Sequence, residues 1–315
     1  MPADDVPTTA ELDEIYERVK NWTRWGDTDE RGALNHLANE HRARASALVR
    51  TGASVSLAND ITTQPTPETP SPAHHHMLAS GDALGASGVP GYEATQDYVG
   101  TAVHGLGITH IDALCHMFVR GEMYGGRPAS LVRSTGALAN TIMSAADGII
   151  GRGVLLDVPA VRNATHLGPT ESVTVADLEA AEEAQGIRVG PGDLLVISTG
   201  RDARREAGGG RLDPFGGGLP GLHPRTLPWL HDRQIALLGS DGISDHMPFT
   251  SIPDWPFPIH QIGITGIGLH LIDNMRLDRI TERCREQGRW EFLLTVAPMR
   301  VPGGTGSPVN PIAVL

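Results

Sequence analysis

Apolar and polar residues alternate along the whole chain in patterns that predict a mixture of helices and strands. Thr8 and Glu11 form a capping-box pattern ahead of a helical series of apolar residues, so we expect a first helix over residues 9–21. A second helix is expected over residues 39–50. Residues 1–60 are therefore predicted to form an N-terminal helical segment.

Four short apolar runs in the rest of the chain predict buried strands. Thr174 and Gly186 are residue types that begin and end helices, and we expect a helix between them. Residues 260–274 have a helix-like apolar pattern, and residues 276–286 predict a charged helix. The predicted strands cover residues 151–159, 193–198, 235–239 and 292–297.

Three segments rich in small and turn-forming residues predict irregular structure, at residues 61–91, 202–222 and 303–308. Long loops of this kind often cover binding sites. The sequence has no internal repeat and no linker between two cores. We therefore predict one α/β domain over residues 1–315.

The composition is that of a globular protein, with 40% hydrophobic and 20% charged residues among 315. A formal net charge of -12 argues against binding to nucleic acid or to an anionic membrane surface. The N-terminus lacks a signal-peptide pattern, and no apolar run reaches the roughly 18 residues of a membrane span. Only Cys115 and Cys284 occur, far apart, which favours a reducing compartment, so we expect a cytoplasmic protein.

The strongest chemical signal is a group of three histidines and one aspartate between residues 104 and 116. His110 and Asp112 are two residues apart, so an extended backbone would direct both side chains to the same face. His116 would join them if the chain turns after Asp112, and His104 precedes them. Imidazole nitrogen and carboxylate oxygen are ligands for Zn²⁺ and Mn²⁺, so we predict one divalent metal ion held by these four residues.

This motif resembles the signature of the cyclase family that includes bacterial kynurenine formamidase and isatin hydrolase, His-x-Gly-Thr-His-x-Asp-x-Pro-x-His. The segment Thr109-His110-Ile111-Asp112 and His116 match it. The first histidine of the signature falls at Leu106, and His104, two residues earlier, is the alternative ligand. Leu114 stands where the family usually has proline. Further weak matches in the same order along the chain place it among the longer bacterial members.

The resemblance implies a swivelling β/β/α fold and a homo-oligomer, either a dimer or a tetramer. It also implies that a late histidine and a downstream acidic residue complete the site, and these correspond to His260 and Asp273. Asp273 is one methylene shorter than the usual glutamate, so a hydrogen-bonding role is as well supported as direct ligation. His76, on the long loop, and Asp241, after a predicted strand, are further candidates for contact with substrate or ligands.

Together, the ligand cluster and the resemblance predict a metal-dependent hydrolase acting on the C–N bond of a small amide, formamide or lactam. The ion would lower the pKa of bound water toward ~7 and polarise the carbonyl oxygen. His116 or His260 would carry the proton to the leaving nitrogen. Two alternatives stay open: a lyase or cyclase using the same ion, and a binding protein that has lost the chemistry.

Overall fold

The computed structural model describes residues 6–83, 88–208, 212–214, 216–247 and 252–315. Its fold is mixed α/β and is built on one nine-stranded sheet. In spatial order, the strands are β1 (Ser54–Ser56), β17 (Ile312–Val314), β15 (Glu291–Val296), β9 (Ile149–Asp157), β11 (Leu194–Ser198), β13 (Leu237–Ser240), β14 (His270–Asp273), β4 (His110–Asp112) and β16 (Gly306–Pro308).

Four of these strands, β9, β11, β13 and β14, run parallel to one another in the middle of the sheet. The strands outside them pair antiparallel, including β4 with β14 and β4 with β16. Smaller two-stranded ribbons are β2 (His74–Ala79) with β3 (Gln96–Gly100), β5 (Glu122–Met123) with β6 (Arg127–Pro128), β7 (Val132–Arg133) with β8 (Gly136–Ala137), and β10 (Ser172–Val173) with β12 (Gly221–Leu222).

The α-helices of the described chain are mostly short. They are α1 (Thr9–Val19), α2 (Asn39–Ser46), α3 (Val158–Val161), α4 (Val175–Gln185), α5 (Arg201–Ala207), α6 (Leu227–Asp232), α7 (Pro258–Ile262) and α8 (Asp278–Gln287). Single 3-10 turns occur at Gly32–His36, Tyr124–Gly126, Ala129–Leu131, Ile142–Ala145 and Pro224–Thr226, and a π-helical turn at Gly263–Ile267 follows α7. Within the described ranges, no helix is long and apolar enough to cross a lipid bilayer.

The two faces of the central sheet bury separate apolar clusters. Along β11, Leu195 and Ile197 belong to one cluster, whereas Leu194 and Val196 belong to the other. Successive side chains of a strand point to opposite faces, so this alternation shows that both faces are covered. A smaller third cluster, which includes Ile243, lies beside the candidate site.

Most of the predicted elements are present, with bounds that differ by up to four residues. The first two helices, the helix between Thr174 and Gly186, the charged helix and the four strands are confirmed. The prediction of irregular structure over residues 202–222 was wrong at its start, where α5 forms. The irregular segments 61–91 and 303–308 also contain the strands β2 and β16.

The predicted helix over residues 260–274 was largely wrong. The structure has α7, the π-helical turn and then β14 in this segment. Every residue from 258 to 275 is buried, so the segment has no polar face whose spacing could separate helix from strand. Gly268, with a φ of +78°, ends the helical part and lets the chain turn into the sheet.

Candidate metal centre

Two neighbouring strands bring the first three site residues together. His110 and Asp112 lie at the two ends of β4, and His110 pairs directly with Asp273 of β14. The predicted same-face arrangement is confirmed, because His110 Nε2 lies 3.5 Å from Asp112 Oδ1. The same nitrogen lies 4.0 Å from Asp273 Oδ2, and all three side chains are buried.

His104 reaches the same carboxylate from the preceding loop. Its Nδ1 lies 2.8 Å from Asp112 Oδ1, and its Nε2 lies 2.9 Å from the hydroxyl of Thr305. The ring of His116 stacks on that of His104, with centroids 3.7 Å apart. His116 Nε2 is 3.9 Å from Asp112 Oδ2, so the chain does turn back as expected after β4.

His260, on α7, approaches from the opposite side. Its Nε2 lies 3.4 Å from Asp112 Oδ2 and 3.2 Å from Asp273 Oδ2. Its Nδ1 lies 2.7 Å from Asp245 Oδ2, and the backbone amide of His260 donates to the same oxygen. Asp245 therefore fixes the orientation of the ring and directs Nε2 toward the two carboxylates.

The arrangement fits a divalent cation. Ligand atoms of His104, His110 and Asp112 lie within 4.8 Å of one another, and so do those of Asp112, His260 and Asp273. Asp112 Oδ2 and Asp273 Oδ1 are buried without a hydrogen-bond partner. Unpaired buried carboxylate oxygens are costly, and a cation held among imidazole and carboxylate ligands would satisfy them.

The charges of these side chains depend strongly on one another. Burial opposes ionisation of Asp112, but the imidazoles of His116 and His104 outweigh it and hold the pKa of this carboxyl well below its usual value. Burial lowers the pKa of His116 to about 4. Burial also opposes protonation of His260, but Asp273 and the other adjacent carboxylates outweigh it and raise the pKa of this imidazole well above its usual value.

A cavity of about 240 Å³ opens over this cluster. Its lining combines imidazoles and Asp273 with apolar side chains. Leu106, which occupies the expected position of the first signature histidine, belongs to the apolar wall and contacts the third hydrophobic cluster. The remaining apolar residues of the wall are Met117, Ile243, Met247 and Phe257.

Two residues proposed from the sequence lie elsewhere. The carboxylate of Asp241 accepts hydrogen bonds from the backbone amides of Thr199, Gly200 and Arg201, so it caps the start of α5. Both β2 and β3 are exposed, and on this ribbon the ring of His76 packs on Tyr98. The structure does not bring Asp241 or His76 to the cavity lining.

Two further polar side chains, Cys115 and His270, lie outside the cavity lining. Cys115 is buried, and burial raises the pKa of its thiol to about 12, which leaves no reactive thiolate at neutral pH. His270 is fully buried and its Nε2 contacts the hydroxyl of Ser144. It lies on strand β14, however, and not on the helix predicted for it.

Asp245 and Thr305 were missed. Asp245 follows the third predicted strand closely, as Asp241 does, and a polar run after a buried strand was the available signal. Sequence spacing alone could not show which of the two carboxylates faces His260. Thr305 lies about two hundred residues from His104 along the chain, so nothing local connects them.

Comparison with known proteins identifies a family that matches this chain. Residues 54–245 match the profile of the family described as "Putative cyclase". An isatin hydrolase of Roseibium aggregatum is 28% identical over 142 residues, which cover 44% of this chain and 51% of the relative. The match thus spans about half the length of that curated relative.

Solved structures show the same fold. A crystal structure of a novel cyclase is 31% identical, covers 94% of this chain and 100% of its own, and superimposes with a TM-score of 0.84. Isatin hydrolase A from Labrenzia aggregata, bound to benzyl benzoate, is 20% identical with a TM-score of 0.59, over 85% of this chain and 94% of its own. The profile match over more than half of the chain, together with the first of these structures, shows that the protein belongs to the Cyclase family.

Proposed function

We propose that this protein is a metal-dependent hydrolase that cleaves the C–N bond of a small amide, formamide or lactam. The observation that carries the proposal is the convergence of three histidines and two aspartates beneath a cavity, with one oxygen of each aspartate buried without a hydrogen-bond partner. The relative named isatin hydrolase supports hydrolysis as the reaction. The apolar cavity wall favours a substrate with an apolar or aromatic group beside the bond that breaks.

We assign the metal to three of the four ligands predicted from the sequence. His104, His110 and Asp112 would hold a Zn²⁺ or Mn²⁺ ion, with His116, His260 and Asp273 facing the same space. When bound, such an ion would lower the pKa of water and polarise the carbonyl group of the substrate.

The proposed proton carrier is His116. Its ring lines the cavity and its Nε2 lies 3.9 Å from Asp112 Oδ2, so this nitrogen is placed to accept a proton from water and pass it to the leaving nitrogen. His260 is the alternative carrier. Because Asp245 occupies its Nδ1, His260 would exchange a proton with the cavity through Nε2.

The first test is the metal content of untagged, chelator-free protein, measured by plasma mass spectrometry. We expect about one tightly held Zn or Mn ion per chain, lost in His110→Ala. His166→Ala is the control, because this ring bonds to the backbone oxygen of Leu167 outside the cluster. Absence of metal from the wild-type protein would contradict the proposal and favour a binding protein without catalysis.

The second step identifies the reaction. Metal-loaded protein is incubated with formanilide, acetanilide and isatin in ¹⁸O-labelled water. A hydrolase places the label in the product carboxylate, whereas a lyase or cyclase does not. Turnover without incorporation would replace hydrolysis by the lyase alternative. No turnover of any amide, formamide or lactam would count against the proposed hydrolysis.

We also propose a homo-oligomer in the cytoplasm. The ribbon of β2 and β3 is exposed on both faces, and its exposed apolar side chains include Met77, Leu78, Tyr98 and Val99. A two-stranded ribbon is marginally stable alone, so contact with a second copy would stabilise it. The cysteines are unpaired and buried, which fits a reducing compartment.

A further inference from the structure

A buried arginine lies behind the candidate metal centre. Arg201, at the start of α5, is only 2% exposed. Its guanidinium donates to Glu68 Oε1 at 2.8 Å, to the backbone oxygen of Asp241 at 2.8 Å and to Asn274 Oδ1 at 2.6 Å. Removing a guanidinium from water is costly unless it is fully paired, so these three contacts fix its position.

Asn274, which directly follows Asp273, ties the strand β14 to the loop before β4. Its Nδ2 donates to the backbone oxygens of Gly105 and Ile108, at 2.8 Å and 3.1 Å. Its own backbone oxygen accepts from the hydroxyl of Thr109. The residue has a φ of +56°, a backbone conformation that asparagine tolerates better than most residues.

The same loop carbonyl also orients a predicted metal ligand. His110 Nδ1 lies 3.0 Å from the oxygen of Ile108, and this hydrogen bond leaves Nε2 facing Asp112 and Asp273. Asn274 and His110 therefore share one acceptor. A shift of Ile108 would change the direction of the His110 ring.

Arg201 and the two loop carbonyls together determine which way the Asn274 amide faces. A guanidinium can only donate hydrogen bonds, so the Asn274 atom beside it must be the carbonyl oxygen. The NH₂ group is then directed at the two loop carbonyls. The amide oxygen faces the donor and the NH₂ group faces the two acceptors, so both sides of the amide enforce the same orientation.

We propose that Asn274 is a positioning residue for the metal centre, with its amide held between Arg201 and the two loop carbonyls. It holds the loop that carries His104 and leads into His110 against the strand that carries Asp273 before any ion binds. The inference rests on the proposed function only in that the positioned residues bind a metal ion. A site assembled in advance binds its ion more tightly, because less ordering has to occur on binding.

The test is Asn274→Asp, which keeps the size of the side chain and an acceptor for Arg201 but removes the two donors. Its matched control is Asn140→Asp. Asn140 is also buried, has a φ of +57°, accepts from Arg127 and donates through Nδ2 to the backbone oxygen of Tyr124. Both substitutions remove a buried amide donor, so both should lower the melting temperature of the metal-free protein.

Zinc dissociation constants are then measured by competition with a chelator on stripped protein. We expect Asn274→Asp to weaken zinc binding by about 10- to 100-fold. Asn140→Asp should stay within about twofold of wild type, because it disturbs stability alone. Equal zinc affinity in wild type and Asn274→Asp, or equal losses in both variants, would overturn the proposal.

Proton exchange measured on the metal-free protein separates this inference from the proposed function. In stripped protein labelled with ¹⁵N-histidine, the Nδ1–H proton of His110 should exchange slowly with water in wild type and in Asn140→Asp. It should exchange rapidly in Asn274→Asp. If wild type binds no zinc but shows this pattern, the metal assignment fails and the positioning role stands. Unchanged exchange in Asn274→Asp would overturn the positioning role.

Discussion

Asp245 was not among the predicted site residues, yet it determines which nitrogen of His260 faces the metal centre. One of its oxygens accepts from both the backbone amide and Nδ1 of His260, and the other accepts from the amide of Ile259. The carboxylate therefore holds a proton on Nδ1 and leaves Nε2 toward Asp112 and Asp273. Histidine ligands of metal sites commonly have such a carboxylate partner.

We expect Asp245→Asn to weaken metal binding by about 10- to 100-fold, because an amide is a poorer partner for the Nδ1 proton and stabilises the ring less. The dissociation constant of stripped protein for zinc measures the change. Asp254→Asn is the control, since Asp254 is exposed, lies nearby and has a left-handed backbone that asparagine accepts. Wild-type affinity in Asp245→Asn would show that the orientation of His260 does not contribute to zinc binding.

Among single residues, the sequence predicted the site residues that lie close to one another along the chain. His110 and Asp112 are two apart on one strand, and their shared face follows from the geometry of extended backbone. Asp245 and Asn274 meet their partners through the fold, across 15 residues in one case and 166 in the other. No periodicity encodes such contacts, so their roles emerged only from the structure.

The helix α4 shows how well an element can be predicted when its ends are marked locally. Thr174 accepts from the backbone amide of Asp177, and Asp177 accepts from that of Thr174, so the two form a capping box. Gly186 ends the helix with a φ of +62°. By contrast, α5 was missed because Asp241, about forty residues away, caps its first amides.

Asp177→Asn tests the charge at the start of α4. Burial opposes ionisation of Asp177, but hydrogen bonds from Arg162 and Thr174 outweigh it and lower the pKa of this carboxyl. A carboxyl with a lowered folded pKa stabilises the fold above its unfolded pKa, and loses that contribution as pH falls through the folded pKa. We expect the variant to lose about 1–2 kcal/mol at pH 7.

Urea unfolding at pH 7 and at pH 3 measures this effect. The difference between wild type and Asp177→Asn should narrow at pH 3, where protonation begins to remove the same charge from wild type. Glu179→Gln is the control, because Glu179 is exposed on the same helix. If wild type and Asp177→Asn differ in unfolding free energy by the same amount at both pH values, the charge of Asp177 does not cause the difference.

For the molecule as a whole, the sequence predicted the α/β class but not the order of strands. The edge strand β1 pairs with β17, although the two strands come from opposite ends of the chain. The site depends on β4 pairing with β14, whose residues are about 160 positions apart. The sequence of a short apolar strand does not specify which strand it pairs with, so such pairings follow from packing of the complete chain.

Oligomer formation is the remaining property of the whole molecule, and the ribbon of β2 and β3 is where it can be tested. We expect multi-angle light scattering to give a mass that is a multiple of 33.5 kDa for wild type and a smaller mass for Leu78→Lys. Leu78 is 57% exposed in the single chain, and a charge there would make burial against a second copy unfavourable.

Met299→Lys is the matched control, because Met299 is 58% exposed and lies outside the ribbon. Its mass should equal that of wild type. If both variants keep the wild-type mass, the ribbon is not the contact between copies. If wild type itself is a monomer, the exposed apolar side chains of this ribbon must be tolerated in water, and the proposal of a homo-oligomer is wrong.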